Sequence, residues 1–451
     1  MYTSIRKQVV CVIPVEKRSA VRLERFGLEA VPADLRKTGW AGYFIIQFTF
    51  SFNAGNVLLP ALAVLEGGLS FSQAMASVLS GALFAFILVS FLSLPGSVSG
   101  LPAQYAIRSM IGTRLGRFAA SPIRSLISLY WFAVQTIGGT WMLLEGFKRF
   151  GSASLPFPVL AAGLGAVMIA ITIVGFHAVK KATVYFLPFL LAGEGIIAYL
   201  YFTTDEALPA SAGAYSAETG SAGAMMLFGS LVFVQYAAGV SASADMTRYA
   251  KSPGHGFWGM LAGNFAGFAL TAFLGIYSAV YFSEINPFLA ASRLTDSPPL
   301  LLIILTAAVL SLVSINLSNA YTGSFSLLNI FPSLGRIKSA VIFGAAGILL
   351  STLPAVVTEA KSWISILGNL VIPLCAVICA DFLVVKKRIF TEENLSQTEA
   401  VNKDAAAAMA AGMLIYWIVP EWAAPGFVSF FAAGVLYLIL KLPKDRQWEK
   451  H

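Results

Sequence analysis

The sequence predicts an all-α membrane protein of twelve transmembrane helices, and three observations carry that reading. Of 451 residues, 57% are hydrophobic and only 12% are charged, about half the ~25% of a soluble domain. The apolar stretches recur in windows long enough to cross a bilayer, which takes about 20 residues each. The Lys and Arg residues then fall on one side of the ladder: 26 of 30 lie in alternate loops and the two tails, as the positive-inside rule requires.

The elements follow in order. Residues 1–40 form a tail with eight basic residues on the cytoplasmic side. Spans are expected at 41–65, 72–95, 123–146, 156–176, 183–203, 222–246, 257–283, 299–331, 339–357, 362–384, 405–420 and 425–441. The eighth window is too long for one straight helix and is expected to have a tilted or extended end. Arg108, Arg114, Arg117 and Arg124 count with the cytoplasmic loop after span two; the far side keeps Lys148, Arg149, Arg293 and Lys361. Two halves of five spans, 41–203 and 222–384, make the core, with 405–441 peripheral and 442–451 a second cytoplasmic tail. The net charge of +8 is thus a topology signal for the inner or plasma membrane. No basic patch interleaved with aromatics points to nucleic acid.

Several function classes lack their parts. The apolar stretch Val9–Val15 is flanked by charges and has no small-residue cleavage site, so the N-terminus does not read as a cleavable leader. Cys11, Cys375 and Cys379 offer no even framework, and His177, His255 and His451 are too scattered for a metal site. There is no Walker loop, HExxH or GxSxG motif. Neither an enzyme nor an ATP-driven pump is indicated, and no cofactor is expected.

Function must therefore be sought in polar residues at membrane depth, which are costly unless paired. Span one reads Phe48-Thr49-Phe50-Ser51-Phe52-Asn53-Ala54-Gly55-Asn56. Two Asn around a Gly predict a helix break whose freed carbonyls line a cavity; a small-residue helix contact is the plainer alternative. Span six, Gln235 to Asp245, is again small, polar and Gly-containing. Matching interruptions five spans apart point to inverted repeats around a midplane site. Span three places Trp131 and Gln135 four apart on one face, a stacking ring beside an amide. Span eight carries Ser314, Asn316 and Asn319, whose amides suit either a heterocycle edge or interhelical glue. Glu194, in the middle of span five, is a carboxyl that could carry a proton or pair with another span. Asp245 and Asp381 lie near span ends, and Asp245, followed by Arg248, suits a gate or a structural ion pair as well as ligand contact.

The chain also resembles a known family. Glu24-Arg25-Phe26-Gly27-Leu28-Glu29-Ala30-Val31-Pro32, Phe50-Ser51-Phe52-Asn53, the loop from Gly100-Leu101-Pro102 through Arg108 to Gly116, Trp131-Phe132 with Gln135, Ala244-Asp245-Met246-Thr247-Arg248-Tyr249, Asn316 to Asn329, and Ile372-Pro373 with Ala380-Asp381 occur in the family's order. In these it is similar to the nucleobase-cation-symport-1 family, in its purine–cytosine permease branch. That resemblance implies a LeuT-type fold of five plus five helices with two peripheral ones. It implies a monomeric cation symporter that imports a nucleobase or related heterocycle across the lipid bilayer. The ligand would stack between Trp131 and Tyr236. Gln135, Asn53 and Asn316 or Asn319 would bond its edge, close to the backbone of Ala237 and Ala238. The family's sodium site draws on span-one backbone, here Phe52 and Gly55, and on span-eight hydroxyls. Ser314 supplies one, but Ile315 stands where the second belongs. Coupling to H+ instead of Na+ gains weight from this departure, with Glu194 the carboxyl to watch. Rival readings are a carrier of allantoin, hydroxymethylpyrimidine or an amino acid. A membrane enzyme lacks a polar cluster at one face, and a channel lacks a charge ring.

Overall fold

The computed structural model of the chain describes residues 26–151, 155–203, 220–390 and 398–448. The basic tail up to Arg25, the Val9–Val15 stretch, Cys11 and His451 lie outside the described residues. Everything regular among the described residues is helical, apart from one isolated parallel bridge between Thr38 and Ala250.

The first expected span is two helices, α1 (Trp40–Ser51) and α2 (Leu58–Leu65). Then come α3 (Phe71–Leu92), α4 (Ala103–Ile111), α5 (Ser121–Arg149), α6 (Phe157–Val174) and α7 (Phe176–Thr203). The sixth expected span is α8 (Ala222–Ala237), a 3-10 turn (Ala238–Ser241) and α9 (Ser243–Thr247). After it run α10 (Pro253–Phe282), α11 (Pro298–Ile330), α12 (Gly335–Ser351), α13 (Ala360–Ala380), α14 (Lys403–Ile418) and α15 (Pro425–Trp448). Nine helices among the described residues are long and apolar enough to cross a membrane.

Two expectations change in detail. The loop after span two contains α4, an amphipathic helix. The eighth window is one continuous 33-residue helix, α11. At 1.5 Å per residue it is about 50 Å long, so it crosses a ~30 Å hydrocarbon layer obliquely or projects beyond it.

The break in the first span has a local cause. Asn53 turns its carboxamide onto the main chain: Nδ2 donates to Phe50 O at 2.5 Å, and Oδ1 accepts from Gly55 N at 2.9 Å and Asn56 N at 3.1 Å. Such bonds compete with the helical ladder, and Phe52 leaves helical geometry at φ −87°, ψ 79°. The N–H groups released there are met from other helices. Thr271 of α10 accepts from Asn53 N at 3.3 Å, and Ser311 of α11 accepts from Ala54 N at 3.1 Å. In the sixth span, Gln104 of α4 donates to Ser241 O at 2.8 Å, Cys375 of α13 to Ala237 O at 3.2 Å and Arg124 of α5 to Ala238 O at 3.2 Å.

Small residues set the packing around these breaks. A Cβ on Gly259, Gly263 or Gly267 of α10 would lie 2.5 Å from Tyr43 Cβ, Phe44 O and Phe48 O of α1 respectively. The spacing of four puts the three glycines on one face, so α1 lies directly on the α10 backbone. α3 and α8 meet likewise, where a Cβ on Gly81 would be 2.0 Å from Gly229 O. α5 lies along α11, and α14 and α15 pack on each other and on α13.

Replacing Gly263 by Val should therefore force α1 off α10 and destabilise the protein by about 1–3 kcal/mol or more. A lowered Tm of the detergent-purified protein is the expected readout. An unchanged Tm would mean that the two helices do not touch there.

Candidate central binding site

Where the two interruptions face each other, a cavity of about 140 Å³ opens between α1, α5, α8 and α11. It shares Gln47, Arg124, Tyr236, Gly239, Asn264 and Ser318 with a second one of about 100 Å³ that continues toward α9, past Ser243 and Met246. A single water needs roughly 10–15 Å³ of such space, so the chamber is sized for a small molecule. A larger groove of about 370 Å³ between α5 and α11 is lined almost wholly by apolar side chains and offers little to orient a ligand.

Three aromatic residues, Phe50, Trp131 and Tyr236, line the central cavity. Trp131 is half-buried on α5, its ring set edge-on to Tyr130 at 5.2 Å. Tyr236 ends the long part of span six, held by Phe86 at 4.6 Å and Phe268 at 4.9 Å. The Tyr236 hydroxyl is buried and has no protein partner among the described residues. Gln135 lies one turn beyond Trp131, across the break in span one. A Cβ on Gly55 would be 2.1 Å from Gln135 Oε1, so only glycine there leaves room for the amide. That Oε1 atom is also buried without a protein partner.

Of the residues expected to bind ligand, Trp131, Gln135, Tyr236, Ala238 and Asn319 line the cavity. Asn53, Ala237 and Asn316 stand behind it. Asn53 is spent on the backbone of the break, and Ala237 is fully buried. Asn316 Nδ2 donates to Phe132 O at 2.9 Å and to Thr136 Oγ1 at 3.0 Å, tying α11 to α5. Its Oδ1 accepts from Asn319 Nδ2 at 3.1 Å, which orients the amide that faces the cavity.

The residues considered for cation coupling are more scattered. Phe52 and Gly55 flank the break. Ser314 is buried with its hydroxyl unpartnered among the described residues, whereas Ile315 faces the cavity. Ser311, one turn away, already donates to Ala308 O at 2.8 Å and accepts from Ala54 N. Glu194 does not line the cavity. It is buried in α7 beside Gly193, where α7 meets Ala307 of α11, and its Oε2 has no protein partner among the described residues.

Neither aspartate forms an ion pair with Arg248. Asp245 Oδ1 accepts from Ala103 N at 2.7 Å and so caps α4, while Asp381 pairs with Lys386 and accepts from the Tyr437 hydroxyl at 2.6 Å. Arg248 donates instead to Gly27 O, Glu29 O and Gly100 O.

Sequence reasoning passed over several cavity residues. Asn56 and Gln235 belong to the two predicted interruptions but were not expected to face the ligand, and Gln235 Nε2 donates to Asn56 Oδ1 at 3.0 Å, joining the two interrupted spans. Arg124 was counted as a loop charge, yet it lies inside α5, buried and facing the chamber. The signal was its spacing: Arg124, Trp131 and Gln135 are seven and four apart, one stripe of one helix.

The sequence pattern of a family described as permeases for cytosine/purines, uracil, thiamine and allantoin matches residues 30–439. The allantoin permease of Bacillus subtilis (strain 168) is 24% identical over 430 residues, covering 85% of this chain and 86% of that protein. Among solved structures, Mhp1, a nucleobase-cation-symport-1 family transporter, closed with bromovinylhydantoin bound, is 18% identical with a TM-score of 0.76, covering 91% of this chain and 93% of that one. Its inward-facing form is 19% identical with a TM-score of 0.73, covering 96% of both chains. A Na+-coupled sialic acid symporter, substrate-bound and outward-open, is 15% identical with a TM-score of 0.62 over 90% of both. The helical architecture is thus that of these transporters. A multi-pass membrane transporter rather than an enzyme, the chain belongs to the family of permeases for cytosine/purines, uracil, thiamine and allantoin.

Proposed function

We propose that this protein is a secondary active importer that couples a cation gradient to uptake of a planar nucleobase-like or ureide heterocycle. The observation that carries it is the chamber at the two helix interruptions, walled by Trp131 and Tyr236 and edged by the amides of Gln135, Gln235, Asn56 and Asn319. Aromatic faces bind a flat ring by stacking, and a carboxamide both donates and accepts, as the edge of such a ring demands. A wrong ligand would leave these buried groups unpaired, which is the basis of selectivity. The hydantoin bound by one structural relative and the allantoin named for the curated one favour the ureide end of the range over cytosine.

In this reading the nine long apolar helices become twelve spans with the split first span, α5 and α14. The halves 41–203 and 222–384 are inverted repeats of five, 405–441 is peripheral, and both termini face the cytoplasm. The protein works as a monomer. Alternating access follows from moving one group of helices around the chamber.

Proton coupling suits the seam between α1 and α11 better than sodium does. A sodium ion wants several hard oxygens; Ser314 has a free hydroxyl, but Ser311 is already engaged and Ile315 has none. Glu194, buried and with no protein partner for its Oε2 among the described residues, is the carboxyl that would carry the proton.

Thermal shift of the purified protein with allantoin, hydantoin, uracil, cytosine and hypoxanthine should reveal a stabilising ligand, because binding to the native state raises apparent stability by mass action. Gln135→Ala should weaken that ligand at least tenfold, about 1.4 kcal/mol, with the unliganded Tm unchanged. Full ligand stabilisation in this variant would remove Gln135 from the site. In proteoliposomes, Glu194→Gln should abolish uphill accumulation driven by a pH gradient while sparing exchange of internal for external ligand. Accumulation that requires sodium and survives Glu194→Gln would overturn the proton assignment.

A further inference from the structure

Arg124 is the one charged side chain in the wall of the central chamber and of its continuation toward α9. It is 7% exposed. Its Nη1 donates to Ala238 O at 3.2 Å, in the interrupted part of span six, and its Nη2 to Thr322 Oγ1 of α11 at 2.9 Å. Its Nε, buried, has no protein partner among the described residues. Among the described residues no carboxylate lies within ion-pairing distance of it.

The charge around the chamber is not balanced. Asp245 is the acid that feels Arg124, and it also feels Arg248 and Arg336. Arg248 donates to main-chain carbonyls and lies over the Phe325 ring. Arg336 donates to Ser324 Oγ and lies over the rings of Tyr321 and Phe325. A buried cation with no carboxylate in contact is costly, and a planar guanidinium with an unused donor is the preferred partner of a carboxylate.

Arg124 also stands in register with the stacking residue. It lies seven positions before Trp131 on the same face of α5, about 10 Å along the axis. A ring lying on Trp131 would direct a substituent on its α9 side toward the guanidinium.

We propose that the permease is selective for an anionic heterocycle or ureide, a flat ligand bearing a carboxylate, and that Arg124 is the specificity-determining residue that receives it. This deepens the reading of the chamber as a heterocycle site and rests on it. Neutral amides at one end would read the ring, and one fixed positive charge at the other would read the acid.

The test compares matched ligands that differ in the carboxylate: uracil with uracil-6-carboxylate, and hydantoin with hydantoin-5-acetate. Affinities are measured by thermal shift and by competition on the full-length purified protein. The acid of at least one pair should bind tenfold or more tighter than its neutral partner. Arg124→Gln should abolish that preference, and Arg124→Lys, which keeps the charge but not the fork, should retain part of it. The wild-type comparison stands even if either variant fails to fold. Neutral partners binding as well as the acids in both pairs, or an acid preference that survives Arg124→Gln, would overturn the proposal and leave the heterocycle importer intact. Binding by none of these ligands, nor by the neutral bases named above, would overturn both.

Discussion

The structure depends on one constraint: a main chain interrupted inside a membrane must find hydrogen-bond partners where there is no bulk water. Two spans are interrupted, and their freed groups are met by side chains from other helices. Thr271 and Ser311 accept from the first break; Gln104, Cys375 and Arg124 donate to the second. Each of these bonds ties a break to a neighbouring helix. The interruptions are thereby anchored to α4, α5, α10, α11 and α13, and the chamber is the space left between the anchors.

The same constraint sorts the polar residues into two sets. Asn53 and Asn316 are consumed in holding main chain and neighbouring helices together, so they shape the chamber from behind. Asn56, Gln135, Gln235 and Asn319 present amide groups to it. Asn316 and Asn319 show the division on one helix turn: the first fastens α11 to α5, and the second is aimed by the first. Gly55 has a part in both sets, since its missing side chain admits Gln135 to the break.

Beyond the chamber, the face carrying α9 is closed by arginine and main-chain carbonyls. Arg36 donates to Val31 O, Val98 O and Ser99 O, and Arg248 to Gly27 O, Glu29 O and Gly100 O. The segment before α1 is thus strapped across the end of α3 and the loop ahead of α4. Arg248 directly follows α9, and α1 follows the strap, so these bonds join the two interrupted spans.

Much of this was legible in the sequence. Long apolar windows specify an α-helical membrane chain, because hydrocarbon admits little else. Asn-Ala-Gly-Asn in span one and the small polar run after Gln235 betrayed the breaks, since such residues bond their own backbone or leave it bare. Trp131 and Gln135, four apart in an apolar stretch, marked the cavity wall. Which amide faces the chamber was not legible. Asn316 and Asn319 share a helix face, and only the packing of α11 on α5 separates fastener from ligand contact. Arg124 was likewise hidden: charge alone assigns an arginine near a span end to the loop, and only the position of Ala238 and Thr322 draws it inward. Sequence determined which residues a membrane cannot ignore; tertiary structure decided which found partners in the protein and which were left facing the cavity, because hydrogen-bond satisfaction depends on what lies opposite.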